Sequence, residues 1–413
     1  MGKIGKRVAK KAAKKAVKKA YKQNPKAFII TAVAIVLIVA IAVAVLYFGF
    51  PEKWDMVIGL IVGDRTPVGS DGDRTPAGSD EDRTPAGSDG DNHPLQSGEG
   101  DLQVHFINVG QGDCILILFP DGKEMLIDCA NVNNSSTIKE STLDYIGRYV
   151  TDGQIDYLMV THGDSDHIYF VDEVLYAYDV DNIYMPFILA EPTNEAKAEA
   201  VANLPADKLA LFTDDDTLTS NVYADFFIAA LSEEGANIML NIGNFSISSD
   251  TYRIDFYCYT AEDWENTGLG DDAEAKNAVS PIGILEYNGR RVVLTGDSNE
   301  INEPKFIAQF SVDVLDCDVL KVGHHGSETS STREFLDFVD CEYAIISCNA
   351  SGNKFKHPRQ DTLDRFIADN MTIYRTDLHG TILLEIDGEG NMTFATDYNP
   401  TASDVLKGAD AVA

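Results

Sequence analysis

Two short segments far apart in the chain carry the residue types best suited to chemistry. Thr161-His162-Gly163-Asp164-Ser165-Asp166-His167 gathers two imidazoles and two carboxylates directly after an apolar run, residues 155–160, that reads as a buried strand. Leu320-Lys321-Val322-Gly323-His324-His325-Gly326-Ser327 places a histidine pair at the end of a second such run, 317–322. Imidazole nitrogens and carboxylate oxygens are ligands for divalent cations. Strand ends are rigid supports on which ligands from distant parts of a chain can converge. The first segment alone could equally be a surface turn. The second, at the end of another buried run, favours a metal site.

The elements that must hold these segments can be read around them. Residues 102–109, 113–119 and 124–129 read as three strands, with Pro120-Asp121-Gly122 as a turn. Residues 136–149 read as a helix, 155–161 as a strand and 168–178 as a helix. A hairpin is expected over 282–295 around Asn288-Gly289, a dipeptide suited to a type I′ turn, and another around Glu389-Gly390-Asn391. Hairpins alternating with helices predict an α/β fold, two sheets packed face to face with helices outside, an αββα sandwich. That domain is expected over 101–398, followed by a C-terminal tail, 399–413.

At this point the chain resembles the metallo-β-lactamase fold, and within it the extracellular C-terminal domain of ComEC/Rec2-type competence proteins. The matching pieces are Asn108-Val109-Gly110-Gln111-Gly112-Asp113, Leu126-Ile127-Asp128, the Thr161 to His167 segment, Leu294-Thr295-Gly296-Asp297, the Leu320 to Ser327 segment and Lys356-His357-Pro358. The resemblance covers nearly the whole globular length and none of the many membrane spans of a competence channel. It implies one or two divalent ions, Zn²⁺ or Mn²⁺, gathered by strand-end loops. His162, with Asp164, would serve one position. Asp166 and His167 would serve the other, helped by His324 or His325. Asp297 would bridge the two, and Asp128 would orient a ligand from behind. Such a cation makes hydroxide available near neutral pH for attack on a phosphoryl or carbonyl centre, with Asp166 and His167 as the catalytic residues and Asp166 helping to move the proton.

The chain also departs from the family pattern. Asp164 stands where a second histidine is usual, and no histidine occurs between His167 and His324. The first position is therefore carboxylate-rich, which suits harder ions such as Mn²⁺ or Mg²⁺, or it is vacant. Tyr169-Phe170 replaces a usual Gly-Gly. Of His324 and His325, one is expected as a ligand and the other as a substrate or hydrogen-bonding residue. His357 and Ser327 are expected to contact substrate, as are Lys321, Asn349 and Asn353, although His357 could equally be structural. Gly110-Gln111-Gly112-Asp113 reads as a tight turn lining the site; no helix follows it, so it is not a phosphate loop. His93, His105 and His379 read as structural, and Asp214-Asp215-Asp216 as a solvated loop.

Composition sets the surroundings. The chain has 413 residues and a formal charge of −33. Residues 1–26 hold eleven Lys and Arg and no acid, leaving 22 basic residues against 66 acidic ones, a body near −44. That field attracts cations and disfavours non-specific nucleic-acid binding. Lys or Arg recurs every three to four residues over 3–22, a basic stripe suited to anionic lipid headgroups. Residues 28–50 carry no charge and end in Tyr47, Phe48 and Phe50. The segment 27–50 therefore reads as an uncleaved transmembrane signal anchor, with 1–26 cytoplasmic and everything beyond outside the cell membrane. Three nine-residue repeats lie within 63–91 in a linker, 51–100; they cannot bury a core and predict a solvated spacer, roughly 35 Å across as a coil over 63–100. The six cysteines show no Cys-x-x-Cys spacing and read as small buried hydrophobes.

Two classes of function follow. One is a membrane-anchored extracytoplasmic metal-dependent hydrolase acting on a phosphodiester: DNA, a small phosphodiester or a cell-wall phosphate. A competence-linked nuclease is one form of it. The alternative is a metal-poor, non-catalytic surface binding module with the same fold. Oligomeric state is not legible.

Overall fold

Val292 and Val293 are neighbours in the chain but belong to different cores. Successive strand residues face opposite sides of a sheet, and here both sides are buried. Val319 and Ile345 face inward with Val292, whereas Leu320, Ala344 and Ile346 face outward with Val293. A sheet buried on both faces needs covers on both, and that requirement produces the architecture. The computed structural model describes residues 100–185, 221–240, 243–260, 263, 273–351 and 354–411. The basic segment, the expected anchor, the repeats, His93, Asp214 to Asp216 and Asn353 lie outside the described residues. Among the described residues no helix is long and apolar enough to cross a membrane.

Fifteen strands are described: β1 Leu102–Phe106, β2 Ile115–Leu118, β3 Glu124–Ile127, β4 Gln154–Met159, β5 Asp179–Met185, β6 Asn237–Leu240, β7 Phe245–Ser248, β8 Tyr252–Tyr257, β9 Ile282–Tyr287, β10 Arg290–Leu294, β11 Val319–Lys321, β12 Tyr343–Ile346, β13 Thr372–Arg375, β14 Ile382–Ile386 and β15 Met392–Thr396. They form two mixed sheets, ordered β15-β14-β1-β2-β3-β4-β5-β6 and β13-β12-β11-β10-β9-β8-β7. In the first, β15 through β3 are antiparallel and β3 through β6 parallel. In the second, β7 through β10 are antiparallel and β10 through β13 parallel. Asn288 and Gly289 both have positive φ, 47° and 78°, as the expected β9–β10 turn requires.

The central core lies between the sheets, where Val104, Phe106, Ile117 and Ile127 meet Ile254, Leu285, Val292 and Ile345. Helices Glu303–Ile307, Arg333–Val339 and Gln360–Ala368 cover the outer face of the second sheet through Phe306, Phe335, Leu336, Leu363 and Phe366. Each such side chain stabilises the fold by about 1.5–3 kcal/mol on burial. Helix Ser136–Tyr149 covers the first sheet: His105 on β1 bonds the Tyr145 hydroxyl at 2.9 Å and packs on the Tyr149 ring. The segment 399–413 carries helix Ala402–Val405, and Val405 joins the second-sheet core while Arg375 donates to the carbonyls of Val405 and Lys407.

The expected strands are shorter than the apolar runs that announced them. Residues 107–109, 113–114, 128–129 and 160–161 lie beyond the strand bounds. The single helix expected over 168–178 is two, Ser165–Ile168 and Val171–Ala177, with the Phe170 N–H between them bonded to the Cys129 carbonyl at 2.9 Å.

Candidate metal centre

Asp128 follows β3, Thr161 and His162 follow β4, Asp297 follows β10, and His325 follows β11. All four strands lie in parallel pairings, so their carboxyl ends point to one edge, where open α/β sheets place ligands. Asp166 and His167 sit on the short helix Ser165–Ile168, which Asp113 holds from below. The Asp113 N–H donates to the Asp166 carbonyl at 3.0 Å, and the Ala130 N–H donates to the Asp113 carbonyl at 3.1 Å. Gly112, at φ 147°, makes that approach possible: a Cβ there would lie 2.4 Å from the Ala130 oxygen and 2.7 Å from the Asp166 oxygen. Asp128, His324 and His325 all adopt left-handed backbone, at φ 54°, 46° and 54°. Strain of that kind in non-glycine residues gathers at functional sites.

Three imidazoles are clamped through Nδ1. His167 Nδ1 lies 2.7 Å from Asp128 Oδ2, His325 Nδ1 lies 2.8 Å from the Ser347 carbonyl, and His162 Nδ1 lies 3.1 Å from Thr161 Oγ1 and 3.3 Å from Ser280 Oγ. Asp128 is itself fixed by the Thr161 N–H and hydroxyl, at 2.8 and 2.6 Å. With Nδ1 committed to these partners, each ring turns its Nε2 inward. These Nε2 atoms surround Asp297, at 3.1 Å for His167, 3.6 Å for His325 and 3.8 Å for His162. Asp166 Oδ2 lies 3.5 Å from His325 Nε2, and Asp164 Oδ2 lies 4.0 Å from His162 Nε2.

Burial and charge then compete. Burial, with His167 alongside, pushes His162 down to about 4. Burial also opposes charge on His167 and His325, but Asp297 with Asp128 raises the first well above its ordinary value, and Asp297, Asp166 and Asp113 raise the second. The reciprocal effect outweighs burial at the carboxylates, holding Asp166 at about 2 and Asp297 well below its usual range. Asp164 goes the other way: burial, then Asp166 and Asp297, push it up to about 6.

The donor set fits a divalent cation. His162, His167 and Asp297 can offer ligand atoms within 4.8 Å of one another, and so can Asp166, His167 and His325. His162 Nε2 is buried and has no hydrogen-bond partner. A buried lone pair aimed at carboxylates is a costly arrangement that a cation resolves.

The structure separates the two adjacent histidines. His325 is fully buried in the cluster. The His324 side chain is 16 % exposed, has Nε2 3.8 Å from Asp297 Oδ2, and packs edge-on against His357 with ring centroids 5.0 Å apart. Asn277, which the sequence did not single out, has its amide 3.3 Å from His324. Ser327 is buried, its hydroxyl shared with Thr329 and its carbonyl accepting from Thr362. Lys321 was expected to contact substrate, but it lies wholly buried in an ion pair with Asp113 at 2.7 Å. Asp113 was expected only as part of a turn; its oxygen reaches 3.6 Å from His325 Nδ1. The Asn349 backbone N–H donates to Gln111 Oε1 at 3.2 Å. His105 and His379 bond Tyr145 and the Arg375 backbone, as structural histidines do.

Residues 107–236 match the family model described as the metallo-beta-lactamase superfamily. ComE operon protein 3 of Bacillus subtilis is 27 % identical over 303 residues, 70 % of this chain and 33 % of that protein. Competence protein ComA of Neisseria gonorrhoeae is 35 % identical over 106 residues, 26 % of this chain and 15 % of that protein. Recombination protein 2 of Haemophilus influenzae is 29 % identical over 134 residues, 30 % of this chain and 16 % of that protein. The chain thus spans a third or less of the length of these relatives. Over residues 107–236 the chain is similar to the metallo-beta-lactamase superfamily, and over longer or overlapping stretches to these competence and recombination proteins.

Proposed function

We propose that this chain is a metal-dependent phosphodiesterase of the metallo-β-lactamase superfamily, held outside the cell membrane by the 27–50 segment with its N-terminus cytoplasmic. The observation that carries the reading is the inward convergence of three Nδ1-clamped imidazoles on Asp297. His167, His325, Asp166 and Asp297 would hold one divalent ion, Zn²⁺ or Mn²⁺; His162, Asp164 and Asp297 would hold a second. A bound cation supplies charge that makes water acidic near neutral pH and offsets the charge developing on a phosphoryl oxygen. Around it, Asp128 keeps His167 in the required tautomer, and Asp166, 16 % exposed, accepts a proton from the attacking water. His324 faces incoming substrate with His357 behind it.

Among phosphodiesters, a strand bearing bases fits the rim best. His357 lies 6.0 Å, centroid to centroid, from the nearly parallel ring of Phe355. Phe355 is 46 % exposed, and Lys354 and Lys356 beside it are exposed too. An exposed aromatic flanked by ammonium groups suits base stacking with phosphate contact, and a local cationic lip answers the repulsion of an acidic body. The relatives' names, competence and recombination, point the same way.

The test is a metal-by-substrate screen of the full chain in detergent, with His167→Ala as control. We expect Mn²⁺- or Zn²⁺-dependent cleavage of a single-stranded oligonucleotide and of a chromogenic phosphodiester, with Phe355→Ala raising KM only for the former. Metal content below about half an equivalent after reconstitution would instead favour the non-catalytic binding module.

A further inference from the structure

We infer that the buried Asp113–Lys321 ion pair sets the spacing between the two halves of the metal centre, so that both are positioning residues for the proposed reaction; the inference rests on that reading. Asp113 Oδ2 and Lys321 Nζ are 2.7 Å apart, with side chains 1 % and 0 % exposed. Lys321 also donates to the Val322 carbonyl at 3.0 Å. Each partner is rooted in one half of the site. The Asp113 backbone is bonded to Asp166 on one side and Ala130 on the other, so it moves with the ligands of the first sheet. The Lys321 carbonyl accepts from Thr295 Oγ1 at 2.6 Å, in the turn that presents Asp297, and β11 ends at Lys321, four residues before His325. The pair therefore joins the Asp166–His167 half to the Asp297–His325 half without passing through a metal ligand.

A fully buried ion pair is a poor means of stabilising a fold, because desolvation offsets most of the attraction and an apolar pair of similar volume does as well. What it does supply is a fixed length and direction, since a charge-assisted bond tolerates little sliding. The second oxygen of Asp113 is placed by the same bond. It has no hydrogen-bond partner and lies 3.6 Å from His325 Nδ1, beside the Ser347 carbonyl that Nδ1 contacts. The clasp thus fixes both the distance across the centre and the wall against which His325 turns.

The test compares Asp113→Leu/Lys321→Met, an apolar replacement, with Asp113→Glu, which keeps both charges and lengthens one arm by a methylene. Both are made in the full chain. Thermal melting, Mn²⁺ affinity by electron paramagnetic resonance, and kcat and KM are read together. The double variant is expected to melt within a few degrees of the parent yet bind Mn²⁺ about tenfold more weakly, with kcat reduced and KM little changed. The Glu variant is expected to lose affinity in the same direction, and serves alone should the double variant not fold. Parent-like affinity in either folded variant overturns the clasp. Should the parent itself bind neither Mn²⁺ nor Zn²⁺, the metal reading fails separately. Metal-free crystal structures then judge the clasp: a His167–His325 separation that stays at 3.3 Å in the variants rejects it, and a widened one supports it.

Discussion

The Nε2 atoms of His167 and His325 lie 3.3 Å apart although 158 residues separate them in the chain. Each ring has already committed Nδ1 to an acceptor, Asp128 in one case and the Ser347 carbonyl in the other. Two inward lone pairs at that distance repel unless a proton or a cation stands between them. Binding of a divalent ion should therefore raise stability. At a free concentration a hundredfold above Kd the gain is about 2.7 kcal/mol, removed by a chelator. Calorimetry of the full chain with Mn²⁺, Zn²⁺ and EDTA measures it, and a melting point indifferent to all three would count against the site.

Metal affinity should rise with pH. His167 and His325 both hold protons above the ordinary histidine range, because Asp297 and its neighbours outweigh burial. A cation must displace those protons, so acid competes with it. The expected gain is up to about tenfold per pH unit for each proton displaced, continuing above pH 6.5. Mn²⁺ titrations at pH 6, 7 and 8 read the slope; a flat response would mean the rings are already neutral.

Asp128→Asn should weaken metal binding by about 10–100-fold with little loss of fold. Asparagine matches the carboxylate in size but can turn an N–H toward His167 Nδ1, which favours the wrong tautomer. It also weakens the grip of the Thr161 N–H and hydroxyl on this side chain. Metal content against circular dichroism separates loss of the site from loss of structure.

The two adjacent histidines should fail in different ways. His325→Ala removes a buried ring from between Asp166 and Asp297 and should abolish tight binding of one ion. His324→Ala removes a partly exposed ring packed on His357, and should keep the metal while lowering turnover. Equal metal loss in both variants would place His324 among the ligands.

His105 should make the domain acid-sensitive independently of the metal. Burial between β1 and helix Ser136–Tyr149 lowers its pKa to about 3. The folded value lies below the unfolded one, near 6.5, so this contribution is complete above about pH 6.5 and is lost as pH falls toward 3. Each unit of difference amounts to about 1.4 kcal/mol. His105→Gln should be less stable at pH 7 but flatter between pH 6 and 4 in urea unfolding; a slope equal to the parent's would assign the acid response elsewhere.

Several parts of the molecule were legible because their signals are local. Helix Ser136–Tyr149 starts where Ser135 accepts from the Ile138 N–H, and the β9–β10 hairpin turns at the dipeptide whose backbone permits it. The split of the expected 168–178 helix was not legible, since Phe170 is drawn to the Cys129 carbonyl by an element 41 residues earlier. Lys321 reads in sequence as a substrate contact; only the approach of Asp113 from the other sheet explains its burial in an ion pair.

The order of residues by itself determined which groups could bind a cation and that they stand at the ends of buried strands, because apolar runs and ligand types are properties of short segments. Tertiary structure alone decided which histidine of the pair enters the cluster, which carboxylate stands behind each ring and how close the two halves approach. Those choices depend on left-handed backbone at Asp128, His324 and His325 and on parallel strands from two sheets ending at one edge. Neither condition is set within a window of neighbouring residues; both arise when distant segments pack against one another.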